Sequence, residues 1–156
     1  MAEISSIQNT KLNQGLKLNN AESLGRVKTV ILESPSTAAW ATGDTVASPV
    51  NIPAGARIVG YYVFNQAFGT GSSLSVGLRA SKDVDPDQTV VGTDIIVNNR
   101  NVAAQAAFDH VSSSGSMLTG FEQVTDRVTN VFGTITGTTI TANARFKIIL
   151  FVSLAD

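Results

Sequence analysis

The sequence predicts an all-β protein: an antiparallel β-sandwich, jelly-roll-like, with an extended N-terminal arm. Three observations predict it. From Arg26 onward, turn residues punctuate the chain at intervals of roughly 8 to 12 residues. Between them, apolar side chains recur with a period of two, the signature of strands with one buried face. And no long amphipathic helix or βαβ rhythm interrupts the pattern, which argues against the α/β classes.

Residues 1–25 stand apart from the rest. They are polar, with isolated Ile4, Ile7, Leu12, Leu16 and Leu18, and follow neither a period of 2 nor one of 3.6. A purely solvated tail carries fewer apolar residues. The division expected is therefore an arm, 1–25, and a β-sandwich domain, 26–156. Arg26 to Glu33 is rich in β-branched residues and stops at Ser34-Pro35. A short run, Thr45 to Ala47, follows the Gly43-Asp44 turn. Arg57 to Asn65 reads as a strand that is apolar on both faces, with Ile58, Tyr62 and Phe64 on one and Val59, Tyr61 and Val63 on the other. Ser73 to Arg79 alternates Leu74, Val76 and Leu78 against small polar residues. Gln88 to Gly92 is a short strand, and the stretch from Asp94 to about 120 carries no clear period. Arg127 to Thr136 is a strand, and Thr139 to Leu154 reads as one long final strand. Ile140, Ala142, Ala144, Phe146, Ile148, Leu150, Val152 and Leu154 share its inner face. Ordinary strands are about five or six residues long, so a bend near Asn143 is expected. The expected core joins Ile58, Tyr62, Phe64, Leu74, Val76, Leu78, Phe146, Ile148, Leu150 and Val152. Ile149 and Phe151 interrupt the outer polar face and are candidate contacts, as is Tyr61.

Composition narrows the function. The 156 residues carry a net charge of -1, and 15% are charged, against about 25% in typical soluble domains. No basic footprint for nucleic acid exists. There is no cysteine, hence no disulfide framework and no thiolate chemistry. No run approaches the ~18 apolar residues of a membrane span, and Met1 to Asn20 lack the apolar core of a signal peptide. The chain is therefore expected to be made in a cytoplasm and to bind neither nucleic acid nor membrane.

Catalytic chemistry finds few residues to work with. His110, next to Asp109, is the sole histidine. Ser112, Ser113 and Ser114 lie nearby, but no Gly-x-Ser-x-Gly elbow presents a nucleophile. The Gly69 to Ser73 stretch lacks the lysine and the following helix of a phosphate loop. Asp83, Asp85 and Asp87 open like a calcium loop, but Gln88 stands where an EF-hand requires glycine. A turn capped by aspartate side chains accounts for them. No cofactor, no metal site and no enzyme activity are expected.

One block carries a family resemblance. Val50-Asn51-Ile52-Pro53-Ala54-Gly55-Ala56-Arg57-Ile58, an apolar strand, then Gly71-Ser72-Ser73-Leu74-Ser75-Val76-Gly77-Leu78 and Asp85-Pro86-Asp87 resemble small structural proteins of tailed bacteriophages. Capsid decoration (cement) and head-fibre proteins are the members in question. The block covers about a quarter of the chain, Val50 to Asp87. The resemblance implies a non-enzymatic virion protein on a capsid surface, with the major capsid protein as partner and a homo-oligomeric, trimeric state. Candidate partner-binding residues are Ile4, Ile7, Leu12, Leu16, Leu18, Tyr61, Ile149 and Phe151. The alternative is a carbohydrate- or receptor-binding β-module of a fibre or tail, for which Trp40, Tyr61 and Tyr62 are the candidate aromatics.

Overall fold

A computed structural model describes residues 27–36, 39–109 and 124–154. The eight strands are β1 Val27–Glu33, β2 Asp44–Ala47, β3 Arg57–Asn65, β4 Ser73–Ala80, β5 Val90–Asn101, β6 Ala106–Asp109, β7 Thr129–Thr136 and β8 Phe146–Ser153. No helix occurs among the described residues. The arm residues 1–25, His110 and the serines at 112–114 lie outside them.

The strands form two four-stranded antiparallel sheets, ordered β1-β8-β3-β6 and β2-β7-β4-β5. The pairing is nested: β1 lies on β8, β2 on β7, β3 on β6 and β4 on β5. Two further ladders, β3 on β8 and β4 on β7, join these ribbons into sheets. A long antiparallel ribbon wound on itself in this way is a jelly roll. The fold class expected from the sequence is the one observed.

The core lies between the sheets. Val30, Leu32, Ile58, Tyr61, Val63, Phe146, Ile148, Leu150 and Val152 project from the first, and Leu74, Val76, Leu78, Val131 and Ile135 from the second; all are buried. At one end Trp40, Phe68 and Phe146 form an aromatic cluster with ring centroids 5.7 to 6.2 Å apart. Trp40 Nε1 donates to the Ala144 carbonyl at 2.9 Å, which satisfies its one polar atom. Gly133 makes room for this cluster, because a Cβ there would sit 3.0 Å from the Phe146 ring.

Two expectations are corrected. Tyr62 and Phe64 were expected in the core, yet they are 42% and 43% exposed. The ladder to β8 shifts register between Ile58 and Gly60; the extra residue of this bulge exchanges the two faces of the strand from there on. Tyr61 and Val63 take the inward places instead. The long final strand is also shorter. Asn143 adopts φ 63°, a left-handed conformation that asparagine tolerates, and β8 starts only at Phe146. The stretch from Asp94 onward, which carries no clear period, holds most of β5 and all of β6. The β4–β5 ladder shifts register at three places, and each shift erases the alternation that would have revealed the strand. One shift exploits Gly77, where a Cβ would meet the Gly92 carbonyl oxygen at 2.0 Å; the backbone of β5 crosses directly over it.

Because Phe146 is 1% exposed and closes both the sheet core and the aromatic cluster, Phe146→Ala is expected to cost about 3–5 kcal/mol. A thermal or denaturant melt measures this, and an unchanged midpoint would contradict the packing described.

Candidate assembly surface

The two outer faces of the sandwich differ in chemistry. On the β2-β7-β4-β5 sheet, the register sets Thr134 between Thr45 and Ser75, and Thr136 beside Ser73. Ser73 Oγ lies 2.7 Å from Thr136 Oγ1 and donates to Asn99 Oδ1 at 2.6 Å. Phe132 is buried on this side with the Arg79 guanidinium 5.9 Å from its ring centroid, and Val90 and Val91 are exposed on edge strand β5. Over β2, β7 and β4 this face is a hydroxyl surface suited to water.

The outer face of the β1-β8-β3-β6 sheet is apolar. Ile31, Ile149 and Tyr62 form one continuous row across three strands. Phe151 lies in the row on one side and Phe64 in the row on the other. Tyr62 and Phe151 meet edge to face with centroids 5.7 Å apart. Ile31 is 48% exposed, and Ile149 and Phe151 are half-buried. Charge stands at its borders: Asp109 of edge strand β6 lies opposite Tyr62 and continues that row, and a second group lies at the far end of the strands. Glu33 pairs with Arg145 and, at 4.0 Å, with Lys147. Such exposed pairs contribute little to stability. Beyond them the face runs into an open groove of about 430 Å³ bordered by Glu33, Phe64, Gln105, Arg145 and Lys147.

The structure sorts the candidate residues. Ile149 and Phe151 are brought together on the apolar face. Tyr61 is 7% exposed and lies in the core, and its neighbour Tyr62 takes the outer position. Ile4, Ile7, Leu12, Leu16 and Leu18 fall outside the described residues. Ile31 and Phe64 were not foreseen. The signal for Ile31 was available, since Val30-Ile31-Leu32 is apolar at three consecutive positions and so must show apolar side chains on both faces.

The aspartate run is a capped turn. Asp85 accepts hydrogen bonds from the backbone amides of Asp87 and Thr89, each at 3.0 Å. Asp83 accepts one from Asn51 Nδ2 at 2.8 Å. Asn51 in turn accepts from Ser81 and Asn130. The acids thus face different partners, and no group of three His, Asp or Glu could share a cation among the described residues. The hydrogen bonds from Thr89, ahead of that from Asp87, hold the Asp85 carboxyl below its ordinary value of 3.8.

No protein-family model matches the sequence, and no curated protein does. Solved structures do. A chain of the capsid of Ralstonia phage GP4 superposes with a TM-score of 0.65 at 18% identity, covering 85% of this chain and 86% of that one. The fold is one that phage capsids contain. A chain of the cyanophage Pam1 capsid gives 0.56 at 15% identity over 98% of this chain and 94% of that one. A third, from the acid-stable capsid of Helicobacter pylori bacteriophage KHP30, gives 0.55 at 13% identity over 83% and 89%. In each case the match takes in most of both chains, so the likeness is to a whole chain of similar size.

Two outcomes test this account of the surface. Tyr61→Ala should cost about 3 kcal/mol or more as a buried aromatic truncation. Tyr62→Ser, one residue on, loses only its edge-to-face contact and part of its cover, and should cost about 1 kcal/mol; paired denaturant melts decide. The second concerns acid. A carboxylate whose folded value lies below 3.8 stabilises the loop above that pH, and the contribution disappears as pH falls through the lowered value. Amide protection at Asp87 and Thr89 should therefore hold at about pH 5 and vanish in stronger acid, while β4 amides stay protected by NMR exchange.

Proposed function

We propose that this protein is a non-enzymatic structural component of a virus particle that binds the outer surface of a phage capsid, decorating or stabilising it. The observation that carries the reading is the near-complete, chain-for-chain match to the fold of a cyanophage capsid component, 98% against 94%. The sequence block Val50 to Asp87 points the same way independently. So does the surface: one sheet carries an exposed apolar outer face, and exposed apolar clusters mark the contact surfaces of proteins that work in assemblies.

The partner is the major capsid protein, and the protein acts as a small homo-oligomer. Closed cyclic symmetry is the common way to bury a shared apolar patch, and a trimer fits the three-fold axes of a shell. Repetition over a symmetric lattice turns weak individual contacts into firm attachment by avidity. The N-terminal residues 1–25, polar with spaced Ile and Leu, form an arm that helps hold the protein in place. A glycan-binding role draws less support. Trp40 is packed against Phe68 and Phe146 and Tyr61 is buried, so neither offers a stacking platform, and the apolar face sets few polar groups among its aromatics.

The reading predicts that the protein is present in purified particles, by mass spectrometry, at a fixed ratio to the major capsid protein. Deleting residues 2–20 should leave the melting midpoint of the sandwich nearly unchanged. Co-sedimentation with preformed shells should fall well below wild-type occupancy. Absence from particles would refute the virion role, and undiminished decoration by the truncated protein would refute the arm.

A further inference from the structure

We infer that the apolar outer face of the β1-β8-β3-β6 sheet is the seat for the N-terminal segment of a neighbouring copy of the same chain. The inference builds on the reading of the protein as one that works in several copies, and it names what the arm docks against.

The size of the face comes first. Strands of seven, eight and nine residues and one of four, about 4.8 Å apart, cover on the order of 450 Å². A stable globular interface needs about 800 Å² from each partner. The face is thus too small to hold a second folded copy by itself, yet wide enough for an extended segment crossing the strands. Its chemistry comes next. Ile31, Tyr62, Phe64, Ile149 and Phe151 offer shallow apolar contacts, with charge at Glu33, Lys147 and Arg145 at one end and at Asp109 on edge strand β6 beside Tyr62. A matching occupant has spaced apolar residues and few charges.

This chain contains such a segment. Ile4 to Leu18 holds Ile4, Ile7, Leu12, Leu16 and Leu18, and its charged residues are only Lys11 and Lys17. Where the segment joins the fold also matters. It ends at Val27, the first residue of edge strand β1, which is 55% exposed at a corner of this very sheet. Each copy therefore releases its segment at the rim of the face that a neighbour's segment would fill. Length sets the direction. Twenty-six residues precede Val27 and reach about 80 Å when extended, whereas a strand of the sandwich spans about 30 Å. The segment is long enough to leave its own domain and cross the next. Passed from copy to copy around an axis, such segments close a ring in which every face is covered.

The test replaces Tyr62 with the photo-reactive residue p-benzoylphenylalanine in the full-length protein, in solution and without shells. Copies with ordinary and heavy nitrogen are mixed before irradiation, and cross-linked peptides are sequenced by mass spectrometry. The expected result is cross-links from position 62 to residues 4–18 with mixed isotope labels, which mark contacts between copies. Replacing Leu12, Leu16 and Leu18 together with Ser should cut their yield to about a tenth while the melt stays unchanged, and the same photo-residue at Thr134 on the wettable face should give none. Labels from a single copy would show that the segment covers its own face and would overturn the inference. Cross-links to strand residues of another copy, or none to the segment, would overturn it as well. No shell takes part, so any of these failures leaves capsid attachment to be judged by the sedimentation experiment.

Discussion

Everything in this fold depends on two apolar stripes meeting. Phe146, Ile148, Leu150 and Val152 of β8 line the inner face of one sheet and Leu74, Val76 and Leu78 of β4 that of the other, all of them at most 1% exposed. Each stripe lies on a strand that is central in its sheet, flanked by β1 and β3 in one case and by β7 and β5 in the other. Removing either stripe from water satisfies the hydrophobic demand of a whole sheet, and a period of two leaves no other face to turn inward. The nested pairing then follows as the way to give every strand a partner while keeping β8 and β4 in the middle. Polar groups at the ends of the strands fasten this arrangement. Ser34 is buried, its hydroxyl accepts from the Phe146 amide and its own amide donates to the Phe146 carbonyl, so that β1 and β8 are tied where they separate. Thr125 does the same for the Pro53 to Ala56 turn, accepting from the Ala56 amide and donating to the Pro53 carbonyl.

These stripes are also what could be read most directly from the sequence, because strict alternation over four positions admits one strand register. Failures came wherever the backbone departed from that regularity. Glycine inside an apolar strand signals a bulge, and Gly60 does so in β3; a reading that weighted it more heavily would have moved Tyr62 and Phe64 outward. Asn143 is a comparable clue for the early end of the last strand. In β5 the register slips so often that no periodicity survives, and its partner contacts exist only in three dimensions. The assembly surface was half legible for the same reason. Ile149 and Phe151 stood out against an otherwise polar flank, whereas Tyr62 and Phe64 joined them only through a bulge that exchanges inside for outside.

The difference between the two outer faces gives the domain a direction that a plain sandwich lacks. Thr45, Ser73, Ser75, Thr134 and Thr136 contribute side chains that hydrogen-bond to water or to one another without adding charge. Ile31, Tyr62 and Phe64 do the opposite, and exposed apolar clusters of this kind mark contact surfaces. The low charge content extends the theme. A molecule held by shape and apolar contact is less sensitive to ionic strength than one held by ion pairs.

The irregular course of β5 has a further consequence. A straight outer strand invites another molecule to add itself by main-chain pairing, and repetition of that event yields fibrils. Here the kinked β5, with the Gly92 backbone laid over Gly77, spoils one rim of its sheet, and the opposite rim is β2, only four residues long. Open-ended polymerisation through that sheet is therefore blocked. In a chain with so little charge to keep its copies apart, half of the architecture is thereby withheld as a template for strand addition.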